Sequence, residues 1–418
     1  MMQLSRCTLC VLFMFAATNG FAQERAKKVV FVIVDGVPAD VIEKLPAPNL
    51  HSIAKQGGYT RAYVGGEKGT YSETPTISAV GYNSVLTGTW VNKHNVWDND
   101  IKQPNYHYHT IFRYCKEQYP EKKIAVFSSC LDNRTKLVGD NLAATSNISV
   151  DYHYDGLELD TINFPHDPQR RFMSNIDENV ALKASEYLKE NGPDLSWVYL
   201  EFTDDMGHLY GDSPQFNKAV ELADKRVGDI WKAIQYRRQR FNEDWLIIVT
   251  TDHGRDAKTG KGHGGQSNRE RSGWIFTNAK NLNGQFHHSQ ASIVDIMPTI
   301  ARFMNISVPG NQLMEIDGVP FIEKVSALLP QAQYQNGKIQ IQWKAEDNKG
   351  NMKIWLCTSN DFAIGGKDNY QLVTEIPVSR EQALIDVSDQ PSDFYKIVLE
   401  APHNLLNRWI TTGNNFGQ

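Results

Sequence analysis

Between Lys27 and about Val325 the chain alternates short, continuously apolar runs with longer segments whose apolar residues recur every three or four positions. The runs Val29-Val30-Phe31-Val32-Ile33-Val34, Ile124-Ala125-Val126-Phe127, Trp197-Val198-Tyr199-Leu200 and Trp245-Leu246-Ile247-Ile248-Val249-Thr250 each predict a central strand, because a strand covered on both faces has no polar side to show. The stretches from Pro48 through Leu50 and Ile53, from Asn179 to Lys189 and from Phe216 to Tyr236 predict helices. Strands alternating with helices specify an α/β fold, a mostly parallel sheet with helices on both faces.

After Val325 the texture changes to strict alternation, as in Lys338-Ile339-Gln340-Ile341-Gln342-Trp343 and Met352-Lys353-Ile354-Trp355-Leu356, with Asp347-Asn348-Lys349-Gly350 between them. This pattern predicts a hairpin within a small antiparallel β-sandwich. The chain is therefore expected to divide into a catalytic domain at 27–325 and an accessory, fibronectin-like domain at 329–418 that carries no catalytic cluster.

The N-terminus reads differently. A basic start at Arg6, an apolar run from Cys7 to Ala17 and the small-residue exit Asn19-Gly20-Phe21-Ala22 predict a signal peptide over residues 1–22 and a secreted or periplasmic protein. The run is shorter than the roughly 20 apolar residues a membrane span requires, so no transmembrane segment is expected once it is removed. Cys115, Cys130 and Cys357 are odd in number and irregularly spaced, and are expected as buried, unpaired thiols. With 418 residues, 41% hydrophobic, 22% charged and a net charge of -5, the chain offers no basic surface for a nucleic-acid duplex. Any phosphate-bearing partner must be held locally.

In open α/β sheets ligands sit beyond the carboxyl ends of the strands, and three of the four predicted strands run into acidic or imidazole residues there. Asp35 follows the first, Asp204 and His208 the third, and Asp252 with His253 the fourth. His263 stands a little further on, in Lys261-Gly262-His263-Gly264-Gly265. Singly, each is as well explained by turn chemistry or surface placement. Together, carboxylates and imidazoles on one sheet edge are the ligand set of a catalytic zinc site, with manganese or iron as alternatives. In Thr74-Pro75-Thr76-Ile77-Ser78, Pro75 precedes a helix predicted over Ser78–Leu86 and closed by Gly88. Ser78 then sits at a helix N-terminus, where free N–H groups favour an anion, either as a nucleophile or as a simple N-cap.

These motifs, Val34-Asp35-Gly36, Pro75-Thr76-Ile77-Ser78 through Thr87-Gly88, Asp204 to His208 and Asp252-His253-Gly254, resemble the alkaline phosphatase superfamily, and most of all its nucleotide pyrophosphatase/phosphodiesterase branch, over residues from about 27 to 305. The resemblance implies a phosphoric ester hydrolase acting on a small phosphate ester through a phosphoserine intermediate. It places the nucleophile ten residues before the Gly of a Thr-Gly pair, which selects Ser78 over Thr76. The branch usually has Thr there, so Ser78 departs toward the phosphatases. Two zinc ions are implied, one held by Asp35, Asp252, His253 and the Ser78 oxygen, the other by Asp204, His208 and His263, with His287 and His288 as substitutes for the last. An Asn about twenty residues after the nucleophile donates to the phosphoryl group in the branch. Asn99 matches it, with Asn92 and Asn95 nearby.

Arg134 and Lys136, in Asp132-Asn133-Arg134-Thr135-Lys136, are candidates to approach the substrate phosphate, where a cation would favour a dianionic monoester. A phosphomonoesterase of the same superfamily is therefore the alternative activity, and a non-catalytic binding module on a degenerate fold is the second. Sulfatase chemistry is disfavoured because Ser78-Ala79-Val80-Gly81-Tyr82 lacks the Pro and Arg of that class's motif.

Overall fold

A computed structural model describes residues 25–288 and 291–412. The predicted signal peptide lies outside them. Seven strands form the main sheet: β1 Ala26–Val34, β2 Gly58–Tyr63, β3 Ile124–Ser128, β4 Tyr152–Tyr154, β5 Leu195–Leu200, β6 Glu243–Thr250 and β7 Ser272–Thr277. Their order is β2-β7-β6-β1-β5-β3-β4. The four predicted strands are β1, β3, β5 and β6, and they pair in parallel. Sequence patterning did not foresee β2 and β7, which pair antiparallel with each other and extend the β6 edge.

Alternate residues of β1 feed two separate cores. Val29, Phe31 and Ile33 join the core that includes the Ser78–Thr87, Ile111–Gln118 and Ile296–Phe303 helices. Val30, Val32 and Val34 join the one beneath the Arg171–Asn191 and Pro214–Arg240 helices. All six are buried, which is why no polar position interrupts the strand. The predicted helices are present and longer than their sequence cores, since exposed positions carry little periodic signal. Among the described residues no helix is long and apolar enough to cross a membrane.

The C-terminal region holds seven more strands: β8 Ala327–Gln335, β9 Lys338–Ala345, β10 Asn351–Cys357, β11 Gln371–Pro377, β12 Gln382–Asp386, β13 Phe394–Glu400 and β14 Leu405–Thr411. They form two antiparallel sheets, ordered β12-β9-β8 and β11-β10-β13-β14, over one shared core. The expected hairpin is corrected here. β9 pairs with β8 and β12, while β10 pairs with β11 and β13. Alternation showed which face each strand buries but not its neighbour. Ile339, Ile341 and Trp343 face Met352, Ile354 and Leu356 within the core, and the turn between them steps from one sheet to the other.

Charged residues join this region to the main sheet layer. Lys93 and Lys396 are fully buried. The Lys93 ammonium donates to Asp317 Oδ1 at 2.7 Å and Asn407 Oδ1 at 3.1 Å, and Lys396 donates to both oxygens of Glu315 at 2.9 and 3.0 Å. The Trp409 ring lies 4.9 and 4.7 Å from the two ammonium groups. The backbone N–H groups of Asp317 and Gly318 both donate to the carbonyl of Gly88, the left-handed residue that ends the Ser78–Thr87 helix. Cys115, Cys130 and Cys357 are unpaired.

Candidate metal and phosphoryl site

Register aligns the ends of three strands. Val34 pairs with Leu200, and Ile33 with Thr250, so Asp35, the Glu201–Asp204 turn and Thr251–His253 emerge together beside β1, the middle strand. Gly36 adopts φ +66 immediately after Asp35, and a Cβ there would lie 2.5 Å from Asp204 Oδ1. The Val-Asp-Gly triplet is thus a left-handed turn that lets two carboxylates approach. Asp204 and His208 lie one turn apart on the Phe202–Tyr210 helix and present one face.

The Ser78–Thr87 helix crosses over this edge. Its N-cap position is Ile77 and Ser78 is its first residue, so the Ser78 hydroxyl does not cap the helix but lies 3.2 Å from His253 Nε2. The close fit depends on Gly81, where a Cβ would sit 2.7 Å from the Asp252 carbonyl. Asn99 Oδ1 accepts the Ala79 N–H at 3.0 Å, which leaves the Asn99 amide donors at the mouth of the site. Asn92 and Asn95 make no such contact.

Asp35 Oδ1 and Asp252 Oδ2 each lie 3.3 Å from His253 Nε2. Both oxygens are buried without a hydrogen-bond partner. Unpaired carboxylate oxygens in a protein interior are costly, and two of them meeting one imidazole is the arrangement a bound cation relieves. His253 Nδ1 lies 2.8 Å from the Gly254 carbonyl, and His263 Nδ1 lies 2.8 Å from that of Thr76. Each ring therefore keeps a proton on Nδ1, which makes Nε2 the nitrogen left to ligate a metal once any proton on it is displaced. The Nε2 atoms of His263 and His208 are 3.0 Å apart, with Asp204 Oδ2 3.1 Å from His208. Asp35, Asp252 and His253 form one group able to hold a metal, and Asp204, His253 and His263 a second. The two groups share His253, and the residues present fit the carboxylate and imidazole donor set of a metal site.

Protons balance the charge among these residues. Burial, reinforced by the Asp35 charge, pushes the Asp252 carboxyl well above its usual range. Burial opposes protonation of His253, yet Asp252 and Asp35 outweigh it and raise the imidazole to about 10. Burial, together with the charge on His253, lowers His263 to about 4. Protons so held are those a divalent cation would displace.

Three groups at the site were not singled out from the sequence. Tyr82 and Tyr199 bring their hydroxyls to Asp35 Oδ2, and the fully buried guanidinium of Arg255 bonds Asp204 Oδ1 and the carbonyls of Gly260 and Lys261. Tyr82 stands one helical turn after Ser78, the only sequence signal that would have marked it. Two expected groups are placed elsewhere. Arg134 is held by Asp155 at 2.7 Å and by Asp140, and Lys136 by Asp132 at 2.7 Å. Both belong to the wide turn Asn133–Val138, and neither lines the cavity beside Ser78. His287 and His288 are exposed and join neither ligand group.

A model of the type I phosphodiesterase/nucleotide pyrophosphatase family matches residues 29–269, more than half the chain and every strand end just described. The chain belongs to this family. It is 24% identical over 258 residues to human ectonucleotide pyrophosphatase/phosphodiesterase family member 5, covering 59% of this chain and 49% of that protein, so it spans about half the length of that relative. Among solved structures, a 2-O GAG sulfatase superposes with a TM-score of 0.50 at 11% identity, over 88% of this chain and 86% of the other. Murine ectonucleotide pyrophosphatase/phosphodiesterase 5, an inactive form in complex with AMP, gives a TM-score of 0.46 at 14% identity, over 68% of this chain and 97% of the other. The family places the fold in the alkaline phosphatase superfamily.

Proposed function

We propose that this chain is an exported phosphodiesterase that works through a phosphoserine on Ser78. The observation that carries the reading is the Ser78 hydroxyl, held at a helix N-terminus 3.2 Å from His253 Nε2, the atom that the two unpaired carboxylate oxygens also meet. Two zinc ions, one with Asp35, Asp252, His253 and Ser78 and the other with Asp204, His208 and His263, would lower the pKa of the Ser78 hydroxyl, neutralise the phosphoryl oxygens and activate water. Manganese or iron suits the same donors.

Ser78 Oγ forms the bond to phosphorus as the ester oxygen departs, and water later breaks the phosphoserine bond. Asn99, fixed through Ala79, donates to a nonbridging oxygen as charge builds on it. A diester fits better than a monoester because, among the described residues, no Lys or Arg lines the roughly 190 Å³ cavity beside Ser78, where Asn133, Tyr199, Asp132 and Glu201 stand instead. A monoester's second negative charge would find no side-chain cation. Export by residues 1–22 and an accessory role for 329–418 complete the proposal.

The test is paired turnover of bis-p-nitrophenyl phosphate and p-nitrophenyl phosphate by the zinc-loaded chain. The diester should be cleaved faster, and Ser78→Ala should lower kcat by about 10³-fold or more. Wild-type turnover in Ser78→Ala would sink the nucleophile assignment, and faster monoester cleavage would sink the diester preference.

A further inference from the structure

Asp35 and Asp252 are treated alike by their surroundings, through different means. On Asp252, Oδ1 accepts the Gly36 N–H at 3.1 Å while Oδ2 is left unpaired. On Asp35, Oδ2 is in contact with the Tyr82 hydroxyl and accepts from the Tyr199 hydroxyl at 2.6 Å, while Oδ1 is left unpaired. The two phenol oxygens are themselves 2.6 Å apart. Three oxygens thus share two hydroxyl protons, and neither hydroxyl has any other hydrogen-bond partner among the described residues.

Both rings are buried, at 4% and 2% exposure. They reach Asp35 from opposite sides of one layer: Tyr199 from β5, on the face shared with Trp197, and Tyr82 from the helix that begins at Ser78. Phenylalanine would fill the same space without placing a hydroxyl in an apolar core, where an unpaired one costs free energy. Among the described residues, the only polar group these hydroxyls serve besides each other is the Asp35 carboxylate.

We infer that Tyr82 and Tyr199 are positioning residues that fix Asp35 as a one-oxygen metal ligand, and that Tyr82 links that ligand to the helix carrying the nucleophile. With Oδ2 occupied, the carboxylate cannot rotate or chelate through both oxygens, and Oδ1 is aimed at the point it shares with Asp252 Oδ2 and His253 Nε2. Groups that orient a ligand in this way typically contribute 10- to 100-fold in metal affinity. This inference rests on the two-metal reading above.

The test is zinc affinity of the full chain, measured by competition with a chromogenic chelator, for wild type, Tyr82→Phe and Tyr199→Phe. Tyr114→Phe, whose hydroxyl bonds Gln312 instead, serves as the control. Each of the first two variants is expected to weaken zinc binding at one site by about 10- to 100-fold with unchanged circular dichroism, while Tyr114→Phe binds as wild type. Because the two hydroxyls act on one oxygen, the double variant should lose less than the product of the single losses. The cobalt-substituted protein supplies a second readout, since a change in Asp35 coordination alters its visible absorption. Wild-type affinity and an unchanged cobalt spectrum in a folded single variant would overturn the inference alone. Failure of the wild-type chain to bind zinc would overturn the two-metal reading and this inference with it. Should one single variant not fold, the other reads the same carboxylate.

Discussion

Replacing Arg255 by Met should destabilise the metal-free protein far more than the metal-loaded one. Arg255 is fully buried, and its guanidinium lies where a Cβ on Gly207 would come within 2.3 Å of Cζ. Its three polar contacts are Asp204 Oδ1, the Gly260 carbonyl at 2.5 Å and the Lys261 carbonyl at 2.8 Å. Met keeps most of the volume and none of the donors. In the metal-free protein the loss includes the cation paired with Asp204 Oδ1, while His208 stays 3.1 Å from Oδ2, a change that costs at most about 3–5 kcal/mol. With metal bound, the Asp204 charge is balanced by the cation, and only the two carbonyl bonds are missing, at about 1 kcal/mol each. Urea unfolding followed by tryptophan fluorescence, with and without zinc, measures both numbers. Equal losses in the two conditions would show that Arg255 merely clips the 255–263 loop. A loss below about 1 kcal/mol without zinc would refute the charge-pairing account altogether.

Two further outcomes are expected. His94 is buried, accepts the Val96 N–H on Nδ1 and lies 3.0 Å from Ser84 Oγ through Nε2, and burial lowers its pKa to about 3. The unfolded chain takes up a proton near pH 6.5 that the folded one refuses until about pH 3, so this group's stability contribution is complete above the unfolded value and is lost as pH falls. The slope approaches 1.4 kcal/mol per pH unit in that window, and His94→Gln should flatten it in unfolding titrations. Lys396→Met should cost about 3–5 kcal/mol by leaving Glu315 and Asp368 without their shared cation. Adding Glu315→Gln should recover part of that loss, and a thermal-unfolding series that shows no recovery would mean packing against Trp409 dominates.

What the sequence makes legible follows from which interactions are local. β1, β3, β5 and β6 are readable because burial on both faces makes each a continuous apolar run, and the site clusters are readable because they begin where those runs stop. The Ser78 helix announces itself through Pro75 and Gly88. β2 carries mixed burial, and β7, though buried from Gly273 to Thr277, offers only the short apolar run Trp274-Ile275-Phe276, so neither periodicity nor length marks them. The Asp347–Gly350 turn has hairpin chemistry, but which strand lies beside which is decided by the shared core. Arg134 and Lys136 have the charge of phosphate ligands, yet Asp155, Asp140 and Asp132 already hold them. Tyr82 and Tyr199 act on a carboxylate 47 and 164 residues away, and no spacing rule reaches that far.

The charged seam at Lys93, Glu315, Asp317 and Lys396 gives the C-terminal strands a standing different from that of an interchangeable module. Removing them would leave Lys93 without Asn407 and Trp409, and Glu315 without Lys396, along a buried face. The segment that caps the far end of the Ser78–Thr87 helix at Gly88 would lose its backing in the same cut. Recombination that exchanged this region for an unrelated fold would have to supply matching buried charges, so the two halves of the chain are bound to change in step over evolutionary time.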